Sequence, residues 1–165
     1  MTDRTALSSA QSIDVHAHAV LAGSMGTAGR HGPEIGYTES GAPWFRMGDY
    51  RLDGVRYEGS AFMEADIRLN NMDAAGIDFQ VLSPNPLTYF HHIGPRDAAG
   101  FCEQHNNALA EVVLAHPTRL AGFAALPMQD IQAACAELER AIEELDMLGA
   151  YIGTDIGRPL NDPAL

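Results

Sequence analysis

The chain has 165 residues, 46% of them hydrophobic, and its 22 acidic against 10 basic side chains leave a net charge of −12. That length suits one domain with a real core, and the acidic balance argues against nucleic acid or an anionic membrane surface as partner. The opening Met1-Thr2-Asp3-Arg4-Thr5-Ala6 has no apolar leader, and no window nears the roughly 20 apolar residues of a membrane span, so a cytoplasmic protein with a small-molecule ligand is expected.

Residues 1–11 are polar and unpatterned and read as a flexible N-terminal arm; residues 12–165 form the expected domain. The run Ser12-Ile13-Asp14-Val15-His16-Ala17-His18 predicts a β-strand whose period of two puts His16 and His18 on one face, which is half a metal site. From 19 to 59 periodicity gives way to Gly, Pro and mixed polar residues. A connection that long is usually a functional lid or an insertion with short strands of its own, here placed over the site. Phe62, Ala65, Leu69 and Met72 predict a helix over 62–76, with Ser60 as N-cap and Gly76 as its stop.

Ile77–Leu82 predicts a second strand, halted at Ser83-Pro84-Asn85-Pro86. Apolar residues spaced three and four apart predict a helix from about Pro95 to His116. Leu120–Leu126 is a continuous apolar run, as in a strand buried on both faces. The next helix carries Ile131, Ala134, Cys135, Leu138, Ala141, Ile142, Leu145 and Leu148 on one stripe, with Glu137, Glu139, Arg140, Glu143 and Glu144 on an opposite, solvated face. Gly149–Gly153 predicts a fourth short strand, and Gly157-Arg158-Pro159 and Asn161-Asp162-Pro163 mark a closing loop that runs to Leu165. Cys102 and Cys135, without Cys-x-x-Cys spacing, read as small buried hydrophobes.

The order β, long loop, α, β, α, β, α, β implies an α/β fold with a parallel sheet and right-handed crossovers. A doubly wound sheet and a (β/α)8 barrel both satisfy it. No Gly-x-Gly-x-x-Gly follows the first strand and no Walker loop occurs, and a polar, ligand-bearing first strand suits a barrel.

Several motifs in order then carry a likeness. Ile13–His18 resembles the strand-one motif of the amidohydrolase superfamily. Asp66–Ile77, Ala125-Leu126-Pro127-Met128-Gln129 and Gly149–Thr154 resemble its aminocarboxymuconate-semialdehyde decarboxylase branch, which also holds hydroxybenzoate decarboxylases, hydratases and hydrolases. The resemblance implies the N-terminal half, about four β/α units, of a metal-dependent (β/α)8 TIM barrel. By family pattern a metal-ligand histidine from strand five, a further active-site histidine from strand six and an aspartate from strand eight lie outside this chain. Four barrel strands alone leave two unpaired edges, which invites self-association.

His16 and His18 are then expected as ligands of a divalent metal, zinc first and manganese as the alternative, at the mouth where βα loops build active sites. Asp14, two residues before His16, is expected on the same face, orienting a ligand, with a turn carboxylate as the competing reading. Arg56, with Arg51 nearby, is the candidate grip for a substrate carboxylate, against a plain solvated arginine. His91 and His92 follow the second strand, where at most one should face the site; His105 and His116 read as structural. The implied activity is decarboxylation of a small unsaturated or aromatic carboxylic acid. A hydrolase on the same metal, or a non-catalytic half-barrel module for metal binding or assembly, are the alternatives. The expected partners are a small carboxylate substrate and, in the full-length form, further copies of the protein.

Overall fold

The computed structural model describes residues 1–163 and residue 165; Ala164, within the predicted closing loop, lies outside them. In chain order the elements are α1 (Arg4–Ser9), β1 (Ile13–Ala19), β2 (Glu34–Tyr37), β3 (Pro43–Met47), β4 (Tyr50–Asp53), α2 (Ala65–Ala75), β5 (Phe79–Pro84), α3 (Pro95–Ala115), β6 (Leu120–Ala124), α4 (Ile131–Glu143) and β7 (Gly149–Ala150). β1, β5, β6 and β7 pair in that order, every pair parallel. Each βα unit therefore adds to the same edge of the sheet. A doubly wound sheet reverses its strand order at a switch point, whereas consecutive addition is the barrel pattern.

The two faces of the sheet have different partners. Ala17, Ala19, Leu82, Leu120 and Ala124 form one buried cluster with Met72, Leu109, Val113 and Ala141 of the helices. Gly122 lets α3 approach closely, since a Cβ there would lie 3.0 Å from the Leu109 side chain. On the opposite face Phe79, Val81 and Ala121 are buried with Ala6, Leu7 and Ala10 partly covering them. The predicted loose arm thus contains a helix that packs on the sheet. Asp3 caps it by accepting from the Thr5 and Ala6 N–H groups, at 2.9 and 3.0 Å. The Asp146 carboxylate accepts from the Thr2 N–H at 2.7 Å and from Arg4 at 3.1 Å. Six residues are too few to show a period, and tertiary packing supplies most helix stability.

Other boundaries move for local reasons. α2 starts at Ala65, because Ser60 closes a turn instead of capping the helix: its carbonyl accepts from the Met63 and Glu64 N–H groups at 3.1 and 2.8 Å. Phe62 is left exposed, edge-on to Tyr57 at 5.4 Å. Gly76 ends α2 in the left-handed region at φ 69°, as its position predicts. α4 stops at Glu143, short of Leu145 and Leu148: Asp146 turns left-handed at φ 55° and the Met147 N–H reaches back to the Ala141 carbonyl at 2.9 Å. β7 spans two residues, not the predicted run to Gly153.

Cys102 is buried as expected, but Cys135 is exposed. The buried positions of α4 are Ala134 and Ala141, while Ile142 also faces outward, so its covered stripe is narrower than its apolar one. Among the described residues α3 is the helix that packs against it. Glu137, read as part of a solvated face, is 12% exposed at its side chain and accepts from Arg140 at 2.8 Å and from Asn106 at 2.6 Å. The buried Asn106 side chain also bridges the Ala125 N–H and carbonyl, at 2.8 and 3.0 Å. That network ties α3 and α4 to the end of β6.

The 19–59 segment holds a three-stranded antiparallel sheet, β2-β3-β4. Phe45 and Met47 anchor it, buried with Ala98, Phe101 and Cys102 of α3 and with Phe90. No helix of the described residues is long and apolar enough to cross a membrane.

His105 lies wholly inside this core beside Phe101, its ring nitrogens without protein partners, and burial lowers its pKa to about 4. The unfolded imidazole takes up a proton near 6.5 and the folded one only near 4, so acid favours the unfolded chain. Its contribution is whole above about pH 6.5 and is lost toward pH 4, by up to about 3 kcal/mol at about 1.4 kcal/mol per unit. Urea titrations at pH 7 and pH 5 are expected to show a smaller loss of stability for His105→Phe than for the parent chain.

Candidate metal centre

The C-terminal ends of β1 and β5, the loop after β5 and the first residue beyond β7 bring the candidate groups together. β1 carries one extra residue against β5: Asp14 pairs with Gln80, yet Ala17, three residues on, pairs with Leu82, two residues on. This bulge inverts the side-chain alternation between Asp14 and Ala17. Ala17 and Ala19 face the helices, so His16 and His18 face the other side of the sheet, His18 in register with Ser83. Asp14, expected on the histidine face, instead turns toward Gln80.

The two imidazoles converge. Their Nε2 atoms are 3.1 Å apart and the rings stand edge to face. His18 Nδ1 lies 3.0 Å from the Pro84 carbonyl oxygen and 2.9 Å from Ser83 Oγ. A carbonyl only accepts, so His18 Nδ1 carries the hydrogen, and in the neutral ring Nε2 bears the lone pair. Burial, reinforced by the neighbouring His16, lowers the pKa of His18, the Pro84 carbonyl opposing the shift and Arg68 adding to it. His18 therefore presents an unprotonated Nε2 at neutral pH.

That donor set fits a divalent metal. Two nitrogens bound to one ion at ~2.0–2.1 Å and a near-tetrahedral angle sit roughly 3.3 Å apart, close to the 3.1 Å observed. The backbone carbonyl on Nδ1 is the outer partner that commonly fixes a metal-ligating histidine. Among the described residues no group of three His, Cys, Asp or Glu stands ready to hold an ion, so the pair is a partial ligand set.

Beneath the pair runs a polar chain that pattern reasoning missed. The Asp14 carboxylate accepts from the His16 backbone N–H at 2.9 Å and from Gln80 Nε2 at 2.8 Å. Gln80 Oε1 accepts from Arg68 at 2.8 Å, and the same guanidinium donates to the His18 carbonyl at 2.7 Å. Arg68 is buried, and that burial lowers its pKa against the opposing pull of Asp14. A charged residue at a core-facing helical position was the available signal.

Tyr151, just past β7, was also missed as an individual site residue, although it lies within a motif that carries the resemblance. Its ring centroid is 5.8 Å from that of His16 and 5.9 Å from that of His18. Tyr89 stacks on it at 6.5 Å, and His91 follows at 5.6 Å from Tyr89. Burial, with a smaller contribution from Tyr151, raises the Tyr89 hydroxyl to about 12, so it stays protonated at neutral pH. Of the adjacent histidines, His91 joins this aromatic row, whereas His92 turns toward His31 and Phe90.

The structure does not bring Arg56 to the histidines. It is exposed, donates to the Glu58 carbonyl within its own turn at 3.0 Å, and lines a groove with Gly36 and Trp44. Arg51 stacks over Trp44 at 4.7 Å. His105 and His116 lie in and at the end of α3, away from the pair.

Residues 13–164 match the family described as Amidohydrolase. The chain belongs to that family. It is 35% identical over 103 residues to the 2-amino-3-carboxymuconate-6-semialdehyde decarboxylase of Dictyostelium discoideum, covering 62% of this chain and 29% of that protein. A dihydroxybenzoic acid decarboxylase from Polaromonas sp., solved with bound manganese and the inhibitor 2-nitroresorcinol, superposes with a TM-score of 0.61 at 28% identity, over 84% of this chain and 37% of its own. The Metarhizium anisopliae IDCase shares the fold over 96% of this chain and 46% of its own, with a TM-score of 0.71 at 19% identity. The chain thus spans less than half the length of each of these three proteins.

Long-range ¹H–¹⁵N correlation spectra at pH 7 are expected to show His18 as the Nδ1–H tautomer, and an Nε2–H ring would contradict the site as drawn.

Proposed function

We propose that this chain supplies the first two ligands, His16 and His18, of the metal centre in a metal-dependent carboxy-lyase acting on a small aromatic or unsaturated carboxylic acid. The observation that carries the reading is the convergence of the two Nε2 atoms, with His18 fixed through its Nδ1–H on the Pro84 carbonyl. The decarboxylases among the relatives support the reaction class. On donor chemistry two imidazoles favour zinc over manganese, while the Polaromonas relative carries manganese, so metal availability selects between them.

A bound divalent ion would hold and polarise the substrate carboxylate and its neighbouring oxygen. His16 and His18 would hold that ion. Tyr151 would offer its ring face beside it, a surface on which an aromatic acid can pack at the 4.5–7 Å spacing usual for ring pairs. The protonated Tyr89 hydroxyl, at the next position in the row, would be a donor and not a base. β1 and β7 each have one strand partner among the described residues, where a closed barrel gives every strand two. The activity therefore belongs to the completed barrel.

Calorimetric titration with Zn²⁺ and Mn²⁺ is expected to show binding that weakens at least ~100-fold in His16→Ala and in His18→Ala. With the complete barrel, CO₂ release from dihydroxybenzoate is expected to stop on chelation and return with metal. Ester hydrolysis without CO₂ release would replace the lyase reading by a hydrolytic one.

A further inference from the structure

We infer that Arg68, acting through Gln80 and Asp14, is a positioning residue that sets the aim of the histidine pair. The inference rests on the metal reading of His16 and His18. The juxtaposition is a closed circuit around three residues of backbone. At one end the Asp14 carboxylate takes the His16 N–H at 2.9 Å, and at the other Arg68 Nη2 takes hold of the His18 carbonyl at 2.7 Å. Gln80 joins the two ends, donating to Asp14 and accepting from Arg68, each at 2.8 Å. The segment enclosed, His16-Ala17-His18, is the one that bears both imidazoles.

The circuit sits where the strand is irregular. A bulge leaves backbone groups out of the ladder and re-aims nearby side chains. The extra residue of β1 falls between Asp14 and Ala17, and an unsupported bulge at a strand with one partner among the described residues would leave the relative aim of the two rings undefined. Asp14 takes the His16 N–H, and Gln80, the register partner of Asp14, fixes that carboxylate from β5.

Stability alone does not account for the arrangement. A charge in the core carries a desolvation cost, and well-packed apolar replacements of buried ionic groups are often neutral or stabilising. Arg68 is 8% exposed on α2, one turn from Met72, on the side that packs on the sheet. An apolar residue would complete that packing, yet the position holds a forked donor whose two arms reach different partners. Lysine, with a single ammonium, cannot reproduce that fork.

The sign of one measurement separates positioning from electrostatics. Arg68 is a positive charge near a proposed cation site, so by Coulomb's law alone its removal would tighten metal binding. Positioning requires the opposite. Zn²⁺ titrations of the full chain by calorimetry are therefore expected to give an affinity ~10–100-fold weaker in Arg68→Met. Arg68→Lys, which keeps the charge, and Gln80→Leu, which removes the link without changing charge, should weaken binding in the same direction. Circular dichroism and thermal midpoints of the metal-free proteins identify any variant that has lost its fold, and the two milder substitutions retain the test if Arg68→Met does. In metal-free protein the His16 and His18 Nε2 ¹⁵N shifts should move in all three. Parent-like or tighter binding in folded Arg68→Met or Gln80→Leu overturns the inference while leaving the metal reading intact. Failure of the parent chain to bind Zn²⁺ or Mn²⁺ at all overturns both.

Discussion

The pairing of β1 with β5, one residue out of step, is the constraint on which the site depends. Parallel pairing fixes which residues share a face, and a single extra residue exchanges the faces on either side of it. Beyond the bulge, Ala17 and Ala19 are small enough to lie under the helix layer, and the histidines that alternate with them are directed to the opposite face. Before the bulge, Asp14 falls on the side of Gln80. Had β1 been regular, a carboxylate and two imidazoles would share one face and Asp14 would lose its link through Gln80 to the helix layer.

The rest of the sheet supplies what stands around the pair. β5 ends at Ser83 and Pro84, whose hydroxyl and carbonyl meet His18 Nδ1. The loop that follows holds Phe90 in the left-handed region, φ 51°, a conformation that costs a non-glycine residue about 1–3 kcal/mol unless its surroundings impose it. Gln129, beyond β6, donates to the Phe90 carbonyl and sets that turn. Gly153, beyond β7, lies against the Tyr89 ring so closely that a Cβ would come within 3.1 Å of it. Successive βα loops thus lean on one another, and the aromatic row from His16 through Tyr151 and Tyr89 to His91 is their common product. The β2-β3-β4 sheet is fastened to the same region through Phe45 and Phe90.

Long-range electrostatics has little part in this arrangement despite the net charge of −12. Most of the ion pairs have at least one exposed partner, such as Arg51 with Asp53 and Arg119 with Asp73, and pairs of that kind contribute little each. Of the buried polar groups that matter, Arg68 and Asn106 each hold a backbone segment at the end of a strand, and Gln80 links Arg68 to Asp14. In a parallel sheet those ends carry the functional loops, so desolvated hydrogen bonds are concentrated where geometry has to be exact.

The sequence by itself determined the alternation of strands and helices, the shared face of His16 and His18 and the broken pattern of the insertion, because these follow from periods of two and 3.6 read over neighbouring residues. It carried the α/β class for the same reason, while the half-barrel came from the resemblance of its motifs to the amidohydrolase superfamily. Only tertiary structure decided the side to which Asp14 points, since a bulge is a property of two paired strands and leaves no mark in one of them. It also decided that Arg68 reaches a strand 50 residues away in the chain while Arg56 stays in its own turn, and that residues 4–9 are helical against the sheet. Tyr151 stands beside histidines that lie more than a hundred positions earlier. Periodicity reports which way a side chain leaves its own backbone; what it then meets depends on the register of segments far apart in sequence.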